Sequence, residues 1–372
     1  MCRALFPNLE GWQRLMRLVA ACIAAIALWL YLSVAANAQP QACVRTDGIS
    51  LRDVFWRHPV PPHPLMGQVL EAGGPITVES AHCVPTPLQQ LIVEVWRTIR
   101  SGGIVLLGEV HDNPEHHRVR GDILWPRLER LVSTNGLRPA AVFEHIRTSQ
   151  QAQLDRFSQL ARSSRGVLGA AELLNEVGWE TSGWPPGKTF EALFAGALSA
   201  NLPIYPGNAP RDRTRALARG DGAGVTPQEA ARLDIAHSMP DPLLRSLATE
   251  LEASHCGAVP ASAFVAMSLA QRYADAHMAD VLVKAAEMHG AAFLLAGNGH
   301  IRSDRGVPWY LRRLAPSRKV VSVMLLEVED GKADGAGYVP RAPDGVWAAD
   351  YVLFTPRHAR PDPCEEMRQG KK

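Results

Sequence analysis

Cysteine is sparse in this chain, six residues in 372, and no two of them stand in a C-x-x-C pair. That spacing marks thiol-redox motifs and zinc ribbons, so neither has its usual support, and the lack of C-x-x-C-H removes covalently attached c-type haem. A surplus of charge is missing too, since 39 Lys and Arg face 37 Asp and Glu. Near-neutrality takes away the electrostatic reason to bind nucleic acid or an anionic membrane surface. The chain holds no G-x-S-x-G elbow, no G-x-x-x-x-G-K-[ST] loop, no G-x-G-x-x-G fingerprint and no H-E-x-x-H pair. Serine-hydrolase, nucleotide-hydrolysing and nicotinamide chemistry are accordingly disfavoured. What is present is ordinary globular composition, 47% hydrophobic and 20% charged, which excludes disorder and collagen-like repeats.

The first 38 residues read as a separate object. Arg14 and Arg17 precede a charge-free apolar run over 18–36 that ends in Ala36-Asn37-Ala38. This is the pattern of a secretory signal peptide cleaved after Ala38, with delivery to the periplasm; an uncleaved anchor is the alternative, because the run approaches a spanning length. Cys22 follows Arg17 too closely for a lipoprotein signal. Removing 1–38 takes out three Arg and one Glu and leaves equal numbers of basic and acidic residues. Cys43, Cys83, Cys256 and Cys364 remain, an even count in an oxidising compartment, so two disulfides are expected. Nearness in sequence favours Cys43 with Cys83 and leaves Cys256 with Cys364, among three formal pairings.

Residues 39–86 are rich in Pro and His and read as an extension that wraps the main domain, which spans 87–364 before a tail at 365–372. Leu88, Leu91, Ile92, Val95 and Ile99 recur at helical spacing. Short, mostly apolar runs at 104–107, 140–143, 202–205, 291–295 and 320–326 read as strands covered on both faces, with helical patterns between them. The expected fold is α/β, a mainly parallel sheet flanked by helices, with a smaller helical subdomain over about 146–269.

Polar residues follow these runs in a consistent way. Glu109 and His111 follow the first, Glu144 and His145 the second, Asn208 and Arg211 the third, and His300 and Arg302 the fourth. Ligands of open α/β sheets bind outside the carboxyl ends of the strands, so these side chains are expected to converge on one crevice. Asn113 and Pro114 suit an N-cap and first helical position, which places His116 and His117 in a helix's first turn, expected to face solvent. Glu109, His111, Glu144 and His300 are types that hold zinc, manganese or iron, and the histidines equally suit haem iron. A second cluster comprises His255 beside Cys256, Arg272 and Asp275, which can pair three residues apart on one helix, and Tyr310, whose ring would suit a porphyrin.

Taken together, Gly108-Glu109-Val110-His111-Asp112-Asn113-Pro114, Phe143-Glu144, Ser254-His255-Cys256-Gly257, Gln271-Arg272 with Asp275, and Gly297-Asn298-Gly299-His300-Ile301-Arg302 resemble the ChaN-like haem-binding uptake proteins. That family sits in a superfamily with the Tiki metalloproteases, TraB and the erythromycin esterases. The resemblance implies a haem-binding role in iron uptake at the bacterial envelope, with haem or another small molecule as partner, a homodimer, and an outer-membrane or uptake-system partner. His111, His300, Tyr310, Arg302, Asn208, Arg211, His255 and Arg272 are then the candidate cofactor-binding residues. The superfamily's hydrolases imply the alternative, a metal-dependent esterase or peptidase. In it Glu109 or Glu144 acts as base, Glu109, His111, Glu144 and His300 hold the metal or orient a water, and Arg302 or Arg211 stabilises negative charge.

Overall fold

The apolar runs assemble side by side into one sheet. In the computed structural model, residues 63–72, 87–126, 128, 136–163, 168–222 and 225–368 are described. The signal peptide, Cys43 and Cys83 and most of the N-terminal extension lie outside the described residues. β1 (Val69–Glu71), α1 (Pro87–Arg100), β2 (Ile104–Leu107) and α2 (Pro114–Arg118) come first, and α2 runs into a π-helical turn, Val119–Leu124. β3 (Ala140–Arg147), α3 (Gln151–Ser163), α4 (Ala170–Glu176), α5 (Gly187–Ser199) and β4 (Ile204–Asn208) follow. Then come α6 (Arg211–Ala218), α7 (Pro227–Arg232), α8 (Asp241–Ser254), the long α9 (Phe264–His289) and β5 (Ala292–Leu295). The chain closes with α10 (Val307–Leu314), β6 (Val320–Glu327), β7 (Tyr351–Thr355) and α11 (Pro363–Arg368).

The sheet has seven strands in the order β1-β7-β6-β2-β5-β3-β4, and β1 alone is antiparallel to its neighbour. Alternation along each strand divides the core. Val105, Leu107, Ala141 and Phe143 pack on one face with α1, the π turn and α3 to α5. Ile104, Leu106, Ala140 and Val142 pack on the other with α6, α9 and α10. Each α1 residue expected on the apolar stripe is buried. The Ala-rich α9 lies flat on the second face, with Ala276, Ala279 and Ala286 fully enclosed, and Gly290 ends it in the left-handed region at φ 81°.

Three boundaries differ from the sequence expectation. β3 runs four residues past the expected stop, through Glu144 to Arg147. β4 starts at Ile204 and takes in Pro206 and Gly207, residues tolerated because β4 is an edge strand. β7 was not anticipated as a strand, although it is buried throughout and pairs with β6. No helix among the described residues is long and apolar enough to cross a membrane.

The connections leaving β2 and β5 fix where a ligand goes. β2 leads through α2 to the first face and β5 leads to α10 on the second, although the two strands are hydrogen-bonded neighbours. Their outgoing loops therefore part and open a crevice at the carboxyl edge, the place where doubly wound sheets bind ligands.

Candidate functional site

Register brings the site together. Leu107 pairs with Leu295 and Leu295 with Phe143, so the residues just beyond these three emerge at one level. Asn113 caps α2 as expected, accepting from the Glu115 amide at 2.8 Å, with Pro114 next. β3 carries a register irregularity between Phe143 and Arg147. In a regular strand Glu144 and His145 would point to opposite faces; here both turn into the crevice, the usual consequence of a bulge beside a site.

Glu109 is the hub. Its Oε1 lies 2.7 Å from His111 Nδ1 and 2.7 Å from His145 Nε2. Its Oε2 faces the buried Arg120 guanidinium and stands 3.3 Å from His117 Nδ1. A carboxylate paired with Arg120 accepts, so His111 donates from Nδ1 and keeps a bare lone pair on Nε2. Desolvation lowers the His111 pKa, with Glu144 pulling the other way, which keeps the ring neutral. The His111 side chain is 37% exposed, and its ring meets Trp184 edge-on with centroids 4.8 Å apart.

A second centre lies beside it. Glu144 Oε1 is 3.2 Å from His300 Nε2, and Oε2 accepts from the Gly297 amide at 2.7 Å. His300 Nδ1 is 2.5 Å from Asp275 Oδ1. Burial opposes charge on His300, but Glu144 and Asp275 on either side overcome it and raise its pKa well above the usual value. Burial likewise opposes charge on Glu144, and the charge and hydrogen bond of His300 outweigh it, holding the carboxyl below the usual range. Glu144 and His300 thus form an enclosed ion pair, with Asp275 completing the row.

Gly297 joins the two centres. A Cβ at this position would lie 2.8 Å from His111 Cε1 and 2.9 Å from Nε2, so only glycine leaves room for the ring and for a group beside its lone pair.

Several expectations are corrected. His116 and His117 do not face solvent; both are fully buried. His116 Nδ1 accepts from the Val110 amide at 2.8 Å and its Nε2 lies 2.6 Å from Thr355 Oγ1, so it ties the β2 loop to β7. Burial lowers its pKa to about 3. His117 bonds the His111 carbonyl at 2.9 Å and packs against Phe190, and burial lowers it to about 4. Arg272 does not pair with Asp275, which is taken by His300; it donates to the Ile235 and His237 carbonyls. Tyr310 is enclosed in the second core and offers no face to a ligand. Arg302 is buried against Asp304, donating to both its carboxylate oxygens at 2.9 and 2.7 Å. His255 folds back on the end of α8, its Nδ1 2.7 Å from the Leu251 carbonyl. Asn208 is buried at the end of β4 with its Oδ1 lacking a partner, and Arg211 lies against Gly183. Cys256 and Cys364 form the disulfide that was expected by elimination.

The structure adds Trp184 and Arg120 to the site. It also gives His145, expected at the crevice without an assigned role, a direct contact with Glu109 through the bulge. Glu109, His111 and His145 also present ligand atoms within 4.8 Å of one another, a grouping able to surround a metal ion. The Arg120 guanidinium against Glu109 counts against a further cation there, because it already supplies the compensating charge.

A doubly wound α/β sheet with an oriented, half-exposed histidine at its switch point defines a small-ligand-binding protein. The chain belongs to the haem-binding uptake family of the Tiki superfamily, ChaN, whose model matches residues 95–311, more than half its length. Among solved structures it resembles one described as cofacial heme binding to ChaN of Campylobacter jejuni, at 22% identity over 71% of this chain and 90% of that one, with a TM-score of 0.54. At that identity the likeness establishes the fold. A Bacillus cereus protein aligns over 71% of this chain and 91% of its own at 11% identity and a TM-score of 0.31, too loose to carry an argument. No curated protein matches the chain.

Proposed function

We propose that the protein binds haem at the carboxyl edge of its sheet and serves haem or iron uptake. One observation carries this reading: His111 is neutral, partly exposed and held by Glu109 with Nε2 bare beside the Gly297 backbone. A histidine whose other ring nitrogen is held by a carboxylate is the arrangement that orients and strengthens a metal-ligating imidazole. Bound haem supplies the iron that such an imidazole ligates. Trp184 offers an aromatic edge beside the ring, while Glu109 and Arg120 keep the imidazole's tautomer and angle. His300 is committed to Glu144 and Asp275 through both nitrogens and serves to position Glu144 and the Gly297 loop.

The reading includes a periplasmic location, supported by the composition of residues 1–38 and by the Cys256–Cys364 disulfide, a bond suited to an oxidising compartment. It includes a homodimer, because one imidazole serves a single face of a flat ligand and leaves the other to a second copy. Membership of an uptake family supports an uptake-system or outer-membrane partner. Titrating purified apo-protein with hemin tests the reading: a saturable Soret band near one equivalent is expected, and binding no tighter than to a generic protein surface overturns it.

The clustering of Glu109, His111 and His145 favours a second reading, a metal-dependent hydrolase. There Glu109, His111 and His145 would hold the ion, which would supply Lewis-acid activation of a water, whereas Glu144 is tied up by His300 and Gly297. Metal analysis of the native protein with ester and peptide turnover assays separates the two.

A further inference from the structure

Haem carries two carboxylates as well as an iron, and a site that holds only the iron leaves them unaccounted for. The residues that end β3 and begin α6 supply a complement. Arg147 is the last residue of β3 and pairs in register with Asn208, the last of β4. Its Nη1 donates to the Ala209 carbonyl at 2.9 Å, which holds the guanidinium beside the start of α6, where Arg211 stands. Arg215 follows one turn later, at i+4 on the same helix face. Arg211 Nη2 reaches within 3.2 Å of where a Gly183 Cβ would be, and Trp184, the next residue, is the one that meets His111. Arg211 therefore stands against the segment that carries Trp184 into contact with His111.

Among the described residues, none of these three arginines has a carboxylate partner in a salt bridge, and what sets them apart is that they crowd one another. Arg147 and Arg211 are half-buried. Burial and the neighbouring Arg211 charge lower the Arg147 pKa, Glu144 pulls the other way and Arg215 lowers it further, so like charges crowd here with only partial compensation. Such a group gains most from an incoming dianion, since Arg forms paired, charge-assisted bonds with planar carboxylates.

We infer that Arg147, Arg211 and Arg215 form an anion ledge that takes the carboxylates of the bound tetrapyrrole, next to the Gly183–Trp184 segment that meets His111. The inference rests on the haem reading but is separable from it. Wild-type protein and the Arg211→Gln/Arg215→Gln variant, which leaves the Arg147 bond to Ala209 in place, are each titrated with hemin and with hemin dimethyl ester. Wild type is expected to bind hemin roughly tenfold or more tightly than the ester, and the variant to lose that preference with its Soret position unchanged. Equal binding of hemin and ester by wild type, or a preference that survives in the variant, overturns the ledge and leaves the haem site standing. Failure of wild type to bind either compound overturns both. Should the double variant not fold, Arg215→Gln alone, at an exposed position, must still narrow the preference; an undiminished one refutes the ledge.

Discussion

His111 Nδ1 stands 2.7 Å from Glu109 Oε1, and that contact decides which nitrogen of the ring is left to work. With Nδ1 committed, the lone pair lies on Nε2, beside Gly297 and 3.9 Å from Glu144 Oε1.

Replacing Glu109 with Gln removes the charge while keeping the shape. Arg120 then remains buried without its partner, a loss of about 3–5 kcal/mol for an enclosed ion pair. Urea denaturation of the variant is expected to show this loss, and its hemin complex a weakened axial field. Unchanged stability would mean that Arg120 is compensated by other groups.

Gly297→Ala should act on His111 more than on the fold. The added methyl meets the far end of a half-exposed ring, so the cost in stability is expected to stay within the usual overpacking range, about 1–3 kcal/mol. Hemin titration is expected to show a displaced Soret maximum or lost affinity. Wild-type spectra and affinity would show that the space beside Nε2 is not used.

Much of this was legible in the sequence, for physical reasons that can be named. Runs such as Ile104–Leu107 are apolar at every position because both faces of a parallel strand are covered, and Asn113-Pro114 announces a helix start by its own chemistry. The crevice followed from polar residues placed after such runs. The role of His145 was hidden because a bulge, not strand alternation, aims it at Glu109, whereas β7 is a short apolar run beside the strand that precedes it and carries the same signal as the others. The roles assigned to Arg272, Tyr310 and Arg302 failed on their surroundings. Spacing shows which residues share an element, while the carbonyls that engage Arg272 and the packing that encloses Tyr310 lie far away in sequence; Arg302 is instead taken up locally, by Asp304 two residues on.

Stability is expected to fall on both sides of neutrality. His116, His117 and His145 are buried, with pKa values of about 3, about 4 and well below the usual value. The unfolded chain binds protons that the folded one refuses, so stability drops as pH falls from about 6.5 towards 3, at up to about 1.4 kcal/mol per pH unit for each group. His300 acts oppositely: its contribution is full below about 6.5 and is lost as pH rises through its elevated folded pKa. Urea midpoints from pH 4 to 10 check both arms. His116→Gln should flatten the acid arm, and an unchanged acid arm would contradict the assignment.

The Cys256–Cys364 bond anchors a tail whose Arg360 pairs with Asp112 at 2.8 Å, one residue from His111, and with Glu327. Changing both cysteines to Ser is expected to expose Arg357 and Arg360 to trypsin under native conditions. Because the tail can release locally, the loss in global stability should stay below the roughly 4–5 kcal/mol that loop entropy assigns to a closed loop of this size. Resistance of the reduced tail to trypsin would show that the ion pairs alone hold it.

The central claim is that His111 Nε2 ligates haem iron, and chemical rescue tests it most directly. Hemin complexes of wild type and His111→Ala are compared by absorption spectroscopy before and after addition of free imidazole. The expected result is a Soret band altered by the substitution and returned towards wild type by imidazole. A His111→Ala complex with the wild-type spectrum and affinity, with no response to imidazole, would contradict it.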